Sequence, residues 1–120
     1  MHELSIADSV VRIACAHAGR RRVVKVELKL GYLRQVVPSA LAFAFTLVAE
    51  GTAAEGAELT MEEIPAAGVC RACGTESDLD GFPLACTRCG SLDLELIRGE
   101  ELLVDSLELE GAITTATVAD

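Results

Sequence analysis

The sequence predicts an α+β fold, in which a small three-stranded sheet and two helices form one domain and a cysteine-rich segment is inserted into it. Two observations lead to this prediction. Segments with helical and strand periodicity alternate in the order helix, strand, helix, strand, and another strand follows near the end. Between the last two strands lie two Cys-x-x-Cys pairs in a loop-rich segment. We expect residues 1–66 and 100–120 to form the α/β domain and residues 67–99 to form the insert.

The first predicted element is an amphipathic helix over Leu4–Ala18, because apolar residues recur there at helical spacing. Ser5 and Asp8 have the spacing of a capping box at its start. Gly19 ends the pattern, as glycine often does just after a helix. Cys15 lies within the helix and is expected to be a small core residue.

A half-buried strand and a second helix come next. The strand is predicted because apolar residues alternate with charged ones over Val24, Val26, Leu28 and Leu30. Pro38 suits the first turn of a helix, where its missing N–H group costs nothing, and Gly51 ends that helix. The predicted buried face of the helix consists of Leu41, Ala44, Phe45 and Val48.

Two further strands complete the predicted sheet, at Glu58–Ile64 and Glu101–Glu110. Residues 66–68 are predicted to be a hinge into the insert, and Leu92–Leu96 alternates as the outgoing strand of that insert. The tail from Gly111 is predicted to be frayed.

Composition excludes several classes of protein. The net charge of −9 argues against a surface that neutralises phosphates, so we expect no nucleic-acid partner. The longest apolar run, over residues 40–49, is too short to span a membrane, and we expect no membrane partner. The chain begins without a basic, apolar signal segment, and with reduced thiols this predicts a cytoplasmic protein.

The insert carries four cysteines in two Cys-x-x-Cys pairs that are separated by twelve residues: Cys70, Cys73, Cys86 and Cys89. Each pair places two sulfurs on one tight turn, and a glycine follows each pair where the chain must turn sharply. Two such turns supply a tetrahedral set of thiolates, which suits Zn²⁺. We therefore predict a zinc-ribbon-like domain with a structural zinc, since four protein ligands leave no open position for catalysis.

The four cysteines have alternative interpretations to zinc. Two disulfides would suit a secreted domain, but the chain begins without a signal segment. A thioredoxin-like site has a single Cys-x-x-Cys pair beside a βαβ unit, whereas this chain has two pairs in a loop-rich insert. The spacing alone leaves a rubredoxin-like iron site open. Two functional alternatives follow, a zinc-ribbon module that binds protein or nucleic acid and a dithiol redox enzyme. No nucleophile–base arrangement or phosphate-binding glycine loop is visible, so we predict that the protein is not an enzyme.

The amino terminus offers a second candidate metal site. A histidine at position two is usually an exposed residue without a role. The free amine of Met1, the amide nitrogen and imidazole of His2 and the amide nitrogen of Glu3 can nevertheless close fused chelate rings about one ion. Such a planar, all-nitrogen set suits Ni²⁺ or Cu²⁺ and does not suit Zn²⁺.

Several segments together resemble the HypA/HybF family of hydrogenase nickel-incorporation proteins. These segments are MHELSIA, GYLRQVVPSALAFAF, EGTAAEGAELTMEEIPA, the cysteine pairs and GEELLVDSLELE, in the expected order from Met1 to about Glu110. The resemblance implies a nickel metallochaperone that binds Ni²⁺ as cargo through Met1, His2 and Glu3 and holds structural zinc on the four cysteines. It also implies delivery, with a HypB-type GTPase, to the large subunit precursor of [NiFe] hydrogenase. In some members the role extends to urease maturation and its accessory proteins.

One position departs from the family pattern. The family commonly has an acidic residue just before the proline of the second helix, and that carboxylate can lie near the nickel. This chain has Val37 before Pro38, so we expect no carboxylate ligand from the loop and predict binding by nitrogen alone. Arg34 and Gln35 are poor substitutes as ligands.

Overall fold

The computed structural model describes residues 2–111 and 118–119. Within them the chain forms α1 (His2–Ala18), β1 (Val23–Gly31), a short 3₁₀ helix (Tyr32–Arg34), α2 (Pro38–Ala49), β2 (Glu58–Ile64), β3 (Ala66–Cys70), β4 (Glu76–Leu79), β5 (Leu94–Arg98), β6 (Leu102–Leu109) and β7 (Val118–Ala119). One sheet has the strand order β2-β1-β6-β7, and a second has the order β4-β3-β5. The α+β class predicted from the sequence is confirmed.

The chain divides into two compact units. Unit 1 comprises Met1–Lys29, Val36–Glu62 and Leu102–Asp120, and unit 2 comprises Leu30–Gln35 and Glu63–Glu101. That the α/β part (1–66 and 100–120) and the cysteine-rich part (67–99) are separate domains, each with its own metal, stays a prediction.

In unit 1, helix α1 begins earlier than the capping-box pattern indicates. Because the helix starts at His2, Ser5 lies inside the first turn, and its hydroxyl donates back to the carbonyl of His2 at 3.1 Å. Asp8 instead forms an ion pair with Arg12 one turn later, at 2.9 Å. The predicted capping box is therefore wrong. Cys15 is half-buried and not the core residue predicted, while the apolar stripe of Ile6, Ala7, Val10, Val11, Ala14 and Ala18 is buried.

Strand β1 and helix α2 have the predicted apolar faces with two differences. Val26, Leu28 and Leu30 are buried, but Val24 is exposed and its neighbour Val23 is buried, so the regular alternation begins only at Val26. In α2 the buried residues are Leu41, Ala44, Phe45 and Ala49, and the predicted Val48 is only half-buried. Pro38 occupies the first turn as predicted.

In unit 2, the predicted hinge at residues 66–68 is wrong. These residues belong to β3, the central strand of an antiparallel sheet, and Ala66 and Ala67 are fully buried. Small side chains are needed here because other backbone segments approach closely. A Cβ atom on Gly99 would lie 2.7 Å from the Cα atom of Ala66, and one on Gly68 would lie 3.2 Å from the carbonyl oxygen of Glu95. The Ala-Ala-Gly run therefore serves packing and not flexibility.

The carboxyl-terminal tail contains a strand that the sequence did not predict. Strand β7 pairs antiparallel with β6, with Leu103 opposite Ala119 and Val104 opposite Val118. The predicted fraying is thus corrected at residues 118–119, whereas residues 112–117 lie outside the described parts of the chain. Among the described residues, no helix has both the length and the apolar character that a membrane span requires.

Candidate metal centres

The four cysteines of the insert converge on one point. Their sulfur atoms all lie within 4.8 Å of one another, although the pairs are twelve residues apart in the chain. The Sγ atoms of Cys70 and Cys89 are 3.6 Å apart, and so are those of Cys73 and Cys86. A disulfide requires an S–S distance of about 2.05 Å, so these are four separate thiols. The arrangement can hold one metal ion.

Each pair forms a tight turn that the local sequence favours. The amide of Gly74 donates to the carbonyl of Cys70 at 2.8 Å, and the amide of Gly90 donates to the carbonyl of Cys86 at 3.0 Å. Both glycines have φ of +77°, a left-handed conformation that side chains with a Cβ atom rarely adopt. Backbone amides then point at the sulfurs, since Cys73 N lies 3.4 Å from the Sγ atom of Cys70.

The donor set fits a tetrahedral, thiolate-preferring ion. With Zn–S bonds of about 2.3 Å, neighbouring sulfurs of a tetrahedral site lie about 3.8 Å apart. The two distances of 3.6 Å agree closely with that edge length. Two sulfurs, those of Cys70 and Cys86, belong to buried residues, whereas Cys73 and Cys89 are exposed. A resident zinc held here would supply structure and would leave no open position for a substrate.

Hydrogen bonds to the sulfurs change their acidity. The backbone amides of Cys89 and Arg88 lower the pKa of the Cys86 thiol to about 6. The side chain and backbone of Thr75 lower the pKa of the Cys73 thiol. For Cys89, the backbone of Ser91 favours the thiolate, but the other three sulfurs and the loss of solvent raise the pKa to about 11. Such crowding of thiolates is relieved by a cation.

Ser77 stabilises the turn formed by Cys86–Cys89, a role that the sequence did not predict. This buried serine on β4 accepts a hydrogen bond from the amide of Thr87 at 3.1 Å, and its Oγ atom lies 3.0 Å from the Thr87 hydroxyl. The Oγ atom of Ser77 also lies 3.9 Å from the Sγ atom of Cys86. The only sequence signal is a polar residue at an inward position of the strand, because Ser77 and Leu79 are buried while Glu76 and Asp78 are exposed.

At the amino terminus, Met1 lies outside the described residues, and His2 and Glu3 form the first turn of α1. His2 is exposed to solvent. The first four N–H groups of an α-helix have no partner within the helix, so the amides of His2 and Glu3 are not needed for helical hydrogen bonds. Binding of an ion by these two amide nitrogens would therefore break no hydrogen bond within the helix.

The carboxylate of Glu3 has a second role that the sequence did not indicate. Its Oε2 atom accepts a hydrogen bond from the amide of Val37 at 3.2 Å, and this contact lowers the pKa of Glu3. Val37, the residue just before Pro38, is therefore contacted by a carboxylate from the first turn of α1. Within unit 1, the contact ties the start of α1 to the residue before α2.

Comparison with known proteins identifies a family whose model matches most of the chain. A family model described as "Hydrogenase/urease nickel incorporation, metallochaperone, hypA" matches residues 1–109. The chain is 44% identical over 110 residues to the hydrogenase maturation factor HypA of Geobacter metallireducens, with 92% of this chain and all of that protein covered. It is 43% identical to the factor of the same name from Nostoc punctiforme, with 92% and 96% covered.

Solved structures share the fold. The solution structure of a HypA protein superposes with a TM-score of 0.68 at 21% identity, over 93% of this chain and 98% of that one. The solution structure of the Ni metallochaperone HypA from Helicobacter pylori gives a TM-score of 0.62 at 19% identity, with both chains fully covered.

Proposed function

The chain belongs to the HypA family of hydrogenase/urease nickel-incorporation metallochaperones, and from this premise we propose that it captures Ni²⁺ at its amino terminus and releases it to a client protein. The observation that carries the proposal is the exposed His2 in the first turn of α1, where the backbone amides form no hydrogen bonds within the helix. Nickel is cargo in this account and not a resident cofactor.

The proposed ligands are nitrogen atoms of three consecutive residues. They are the α-amine of Met1, the amide and imidazole of His2 and the amide of Glu3. A planar nitrogen set of this kind selects Ni²⁺ or Cu²⁺ over Zn²⁺. Because the amine, imidazole and amides must be free of protons to bind, acid weakens the site and favours release. Solvent exposure lets a client's own ligands replace these nitrogens in turn.

The proposed zinc site is separate and structural. Cys70, Cys73, Cys86 and Cys89 would hold Zn²⁺ as four thiolates, at sulfur spacings that suit its tetrahedral geometry. Unit 2 buries few large apolar side chains, since its fully buried residues are mainly alanine and cysteine. Metal binding therefore contributes folding free energy that the small core lacks.

The proposed role is that of a non-enzymatic accessory protein in the cytoplasm. The partners that we propose are a HypB-type GTPase and the large subunit precursor of [NiFe] hydrogenase. Urease accessory proteins are a further proposed partner class, which is supported by the family description that names both hydrogenase and urease.

A nickel titration of the zinc-loaded, untagged protein tests the proposal. We expect one Ni²⁺ per chain for the native protein and loss of that binding in His2→Ala. The matched control is His17→Ala, which removes the chain's other histidine and leaves nickel binding intact. Zinc content, measured in parallel, should stay unchanged in all three proteins. Equal nickel binding by His2→Ala and the native protein would show that the terminal site is wrong.

A further inference from the structure

Segment Leu30–Gln35 is held within unit 2 by backbone contacts to residues 99–101. The amide of Gly31 donates to the carbonyl of Glu101 at 2.7 Å, and the amide of Leu33 donates to the carbonyl of Gly99 at 2.8 Å. The guanidinium of Arg34 donates to the carbonyl of Glu100 at 2.8 Å. These contacts fix one side of the segment to the chain that leaves the cysteine-rich part.

Tyr32 makes a different contact from the same segment. Its hydroxyl donates to the carbonyl of Asp80 at 3.2 Å, and its ring stacks on that of Phe82 with centroids 6.3 Å apart and planes at 20°. Both partners lie in the loop 80–85, which joins β4 to Cys86. A stacked aromatic pair and a hydrogen bond each stabilise a contact modestly, and together they can order a short loop.

The loop 80–85 contains no helix or strand, and of its residues only Leu84 and Ala85 are half-buried. It begins after the buried Leu79 and ends at the buried Cys86. Phe82 is 59% exposed, so its ring is not anchored in a core, and Tyr32 is its one ring partner among the described residues. The conformation of the loop therefore depends on Leu79, on Tyr32 and on whatever fixes Cys86.

Cys86 is fixed when it shares a metal ion with the other three thiols. Without an ion, the crowded sulfurs lose the attraction that holds the two turns together. We propose that Tyr32 is a positioning residue, which makes the conformation of segment Leu30–Gln35 depend on metal at the four cysteines through the Phe82 ring and the Asp80 carbonyl.

Segment Leu30–Gln35 is linked through the covalent chain to a residue that contacts the amino-terminal turn, where nickel binding is proposed. Val36 and Val37 follow Gln35 directly, and the amide of Val37 binds the carboxylate of Glu3. The segment that Tyr32 positions is therefore followed in the sequence by the residue that contacts Glu3. The link to nickel rests on the proposed function. The test below uses no nickel, so a failure of nickel binding leaves its result standing, and its own failure leaves nickel binding standing.

The chain offers a direct probe, because Tyr32 is its single tyrosine and it has no tryptophan. The experiment records near-ultraviolet circular dichroism and tyrosine fluorescence of the full-length protein before and after zinc is removed with a chelator. Phe82→Leu removes the stacked ring and keeps an apolar side chain. Phe43→Leu changes another exposed phenylalanine, on α2 in unit 1, and is the matched control. Zinc content and the helical signal are measured for each protein.

We expect zinc removal to change the tyrosine signals of the native protein and of Phe43→Leu while the helical signal persists. In zinc-loaded Phe82→Leu, we expect the tyrosine signals to shift already toward those of the stripped native protein. The proposal is overturned if zinc removal leaves the native tyrosine signals unchanged, or if Phe82→Leu responds as the native protein does.

Amide exchange supplies a second readout. In zinc-loaded Tyr32→Ala, we expect the amides of Leu33 and Gln35 to exchange about tenfold faster, with Val26 unaffected. Tyr32→Phe removes only the hydroxyl and should give a smaller acceleration, and it serves if Tyr32→Ala does not fold. Unchanged exchange at Leu33 in both variants would also overturn the proposal.

Discussion

At the scale of single residues, Cys86 is the sulfur with the most local support. It accepts from two backbone amides, those of Arg88 and Cys89, and belongs to a buried residue. Its sulfur also lies 3.9 Å from the hydroxyl oxygen of Ser77. Replacing Cys86 should therefore weaken the metal site more than replacing the exposed Cys73 or Cys89 would.

The first prediction concerns Cys86→Ser. A serine hydroxyl is a poor zinc ligand, so we expect a loss of zinc affinity that exceeds the roughly 10- to 100-fold typical of outer-shell changes. Metal analysis after dialysis against a chelator measures it. Cys15→Ser is the matched control, since Cys15 lies on α1 apart from the cluster. Zinc retained by Cys86→Ser to the same degree as by Cys15→Ser would contradict the assignment.

The second prediction concerns Ser77→Ala. Removal of the Ser77 hydroxyl takes away the hydrogen-bond acceptor of the Thr87 amide. Ser77 itself is only 3% exposed, so water cannot easily take the place of the hydroxyl. We expect a loss of about 1–3 kcal/mol in the unfolding free energy and weaker zinc binding. Denaturant unfolding of the zinc-loaded protein measures the first. Ser91→Ala loses only a solvent-exposed contact to the Asp93 amide, so an equal loss there would contradict the role of Ser77.

The third prediction concerns the pH dependence of the Glu3–Val37 contact. The Val37 amide lowers the pKa of Glu3 below its ordinary value of 4.5. A lowered folded pKa means that the stabilisation is fully present above pH 4.5 and is lost as the pH falls through the folded pKa. We expect the Val37 amide resonance to titrate with a midpoint below 4.5. In Glu3→Gln that titration should vanish, and its persistence would exclude Glu3 as the partner.

At the scale of elements, the close contact between the end of β1 and residue Gly99 constrains unit 2. A Cβ atom on Gly31 would overlap the carbonyl oxygen of Gly99 at 2.1 Å and lie 2.5 Å from the amide nitrogen of Glu101. The carbonyl oxygen of Gly99 accepts from the amide of Leu33, and the carbonyl oxygen of Glu101 accepts from the amide of Gly31, so these backbone segments cannot move aside without breaking hydrogen bonds.

The fourth prediction is therefore that Gly31→Ala destabilises the protein by about 3 kcal/mol or more. Gly81→Ala is the control, because a Cβ atom there has no neighbour within 4 Å, and its effect should stay within about 0.5 kcal/mol. Thermal or denaturant unfolding measures both. A Gly31→Ala variant as stable as Gly81→Ala would show that the strand end can relax.

The elements differ in how far the sequence predicts them. Helix α2 and strand β2 were predicted at their observed positions, because periodicity, Pro38 and Gly51 are local signals. The hinge at residues 66–68 was predicted wrongly, since small residues look the same in a flexible link and in a tightly packed strand. Strand β7 was missed because two residues carry no periodicity.

The same division holds for the candidate sites. The spacing of the four cysteines is local, and the structure brings all four together as their pattern indicated. Ser77 is nine residues from Cys86, and Glu3 is 34 residues from Val37, so both contacts depend on tertiary packing. No pattern within one segment of the sequence could show either of them.

At the scale of the whole molecule, charge and family membership agree on the class of function. A chain with a net charge of −9 is ill suited to nucleic acid, which was one alternative for a zinc-ribbon-like insert. The match over residues 1–109 extends from the proposed nickel terminus through the cysteine cluster to β6. Both candidate sites therefore lie within the part of the chain that defines the family.

The central claim is that the free amino terminus itself binds nickel, and one comparison tests it most directly. Nickel binding is measured for the zinc-loaded protein that begins at Met1 and for the same protein with two residues added before Met1. The addition keeps His2 but displaces the α-amine from the proposed chelate. The account predicts that each native chain binds one Ni²⁺ with planar coordination. In the extended protein it predicts at least tenfold weaker nickel binding with a different coordination, and about one zinc per chain in both proteins. Equal affinity and coordination in the two proteins would contradict it.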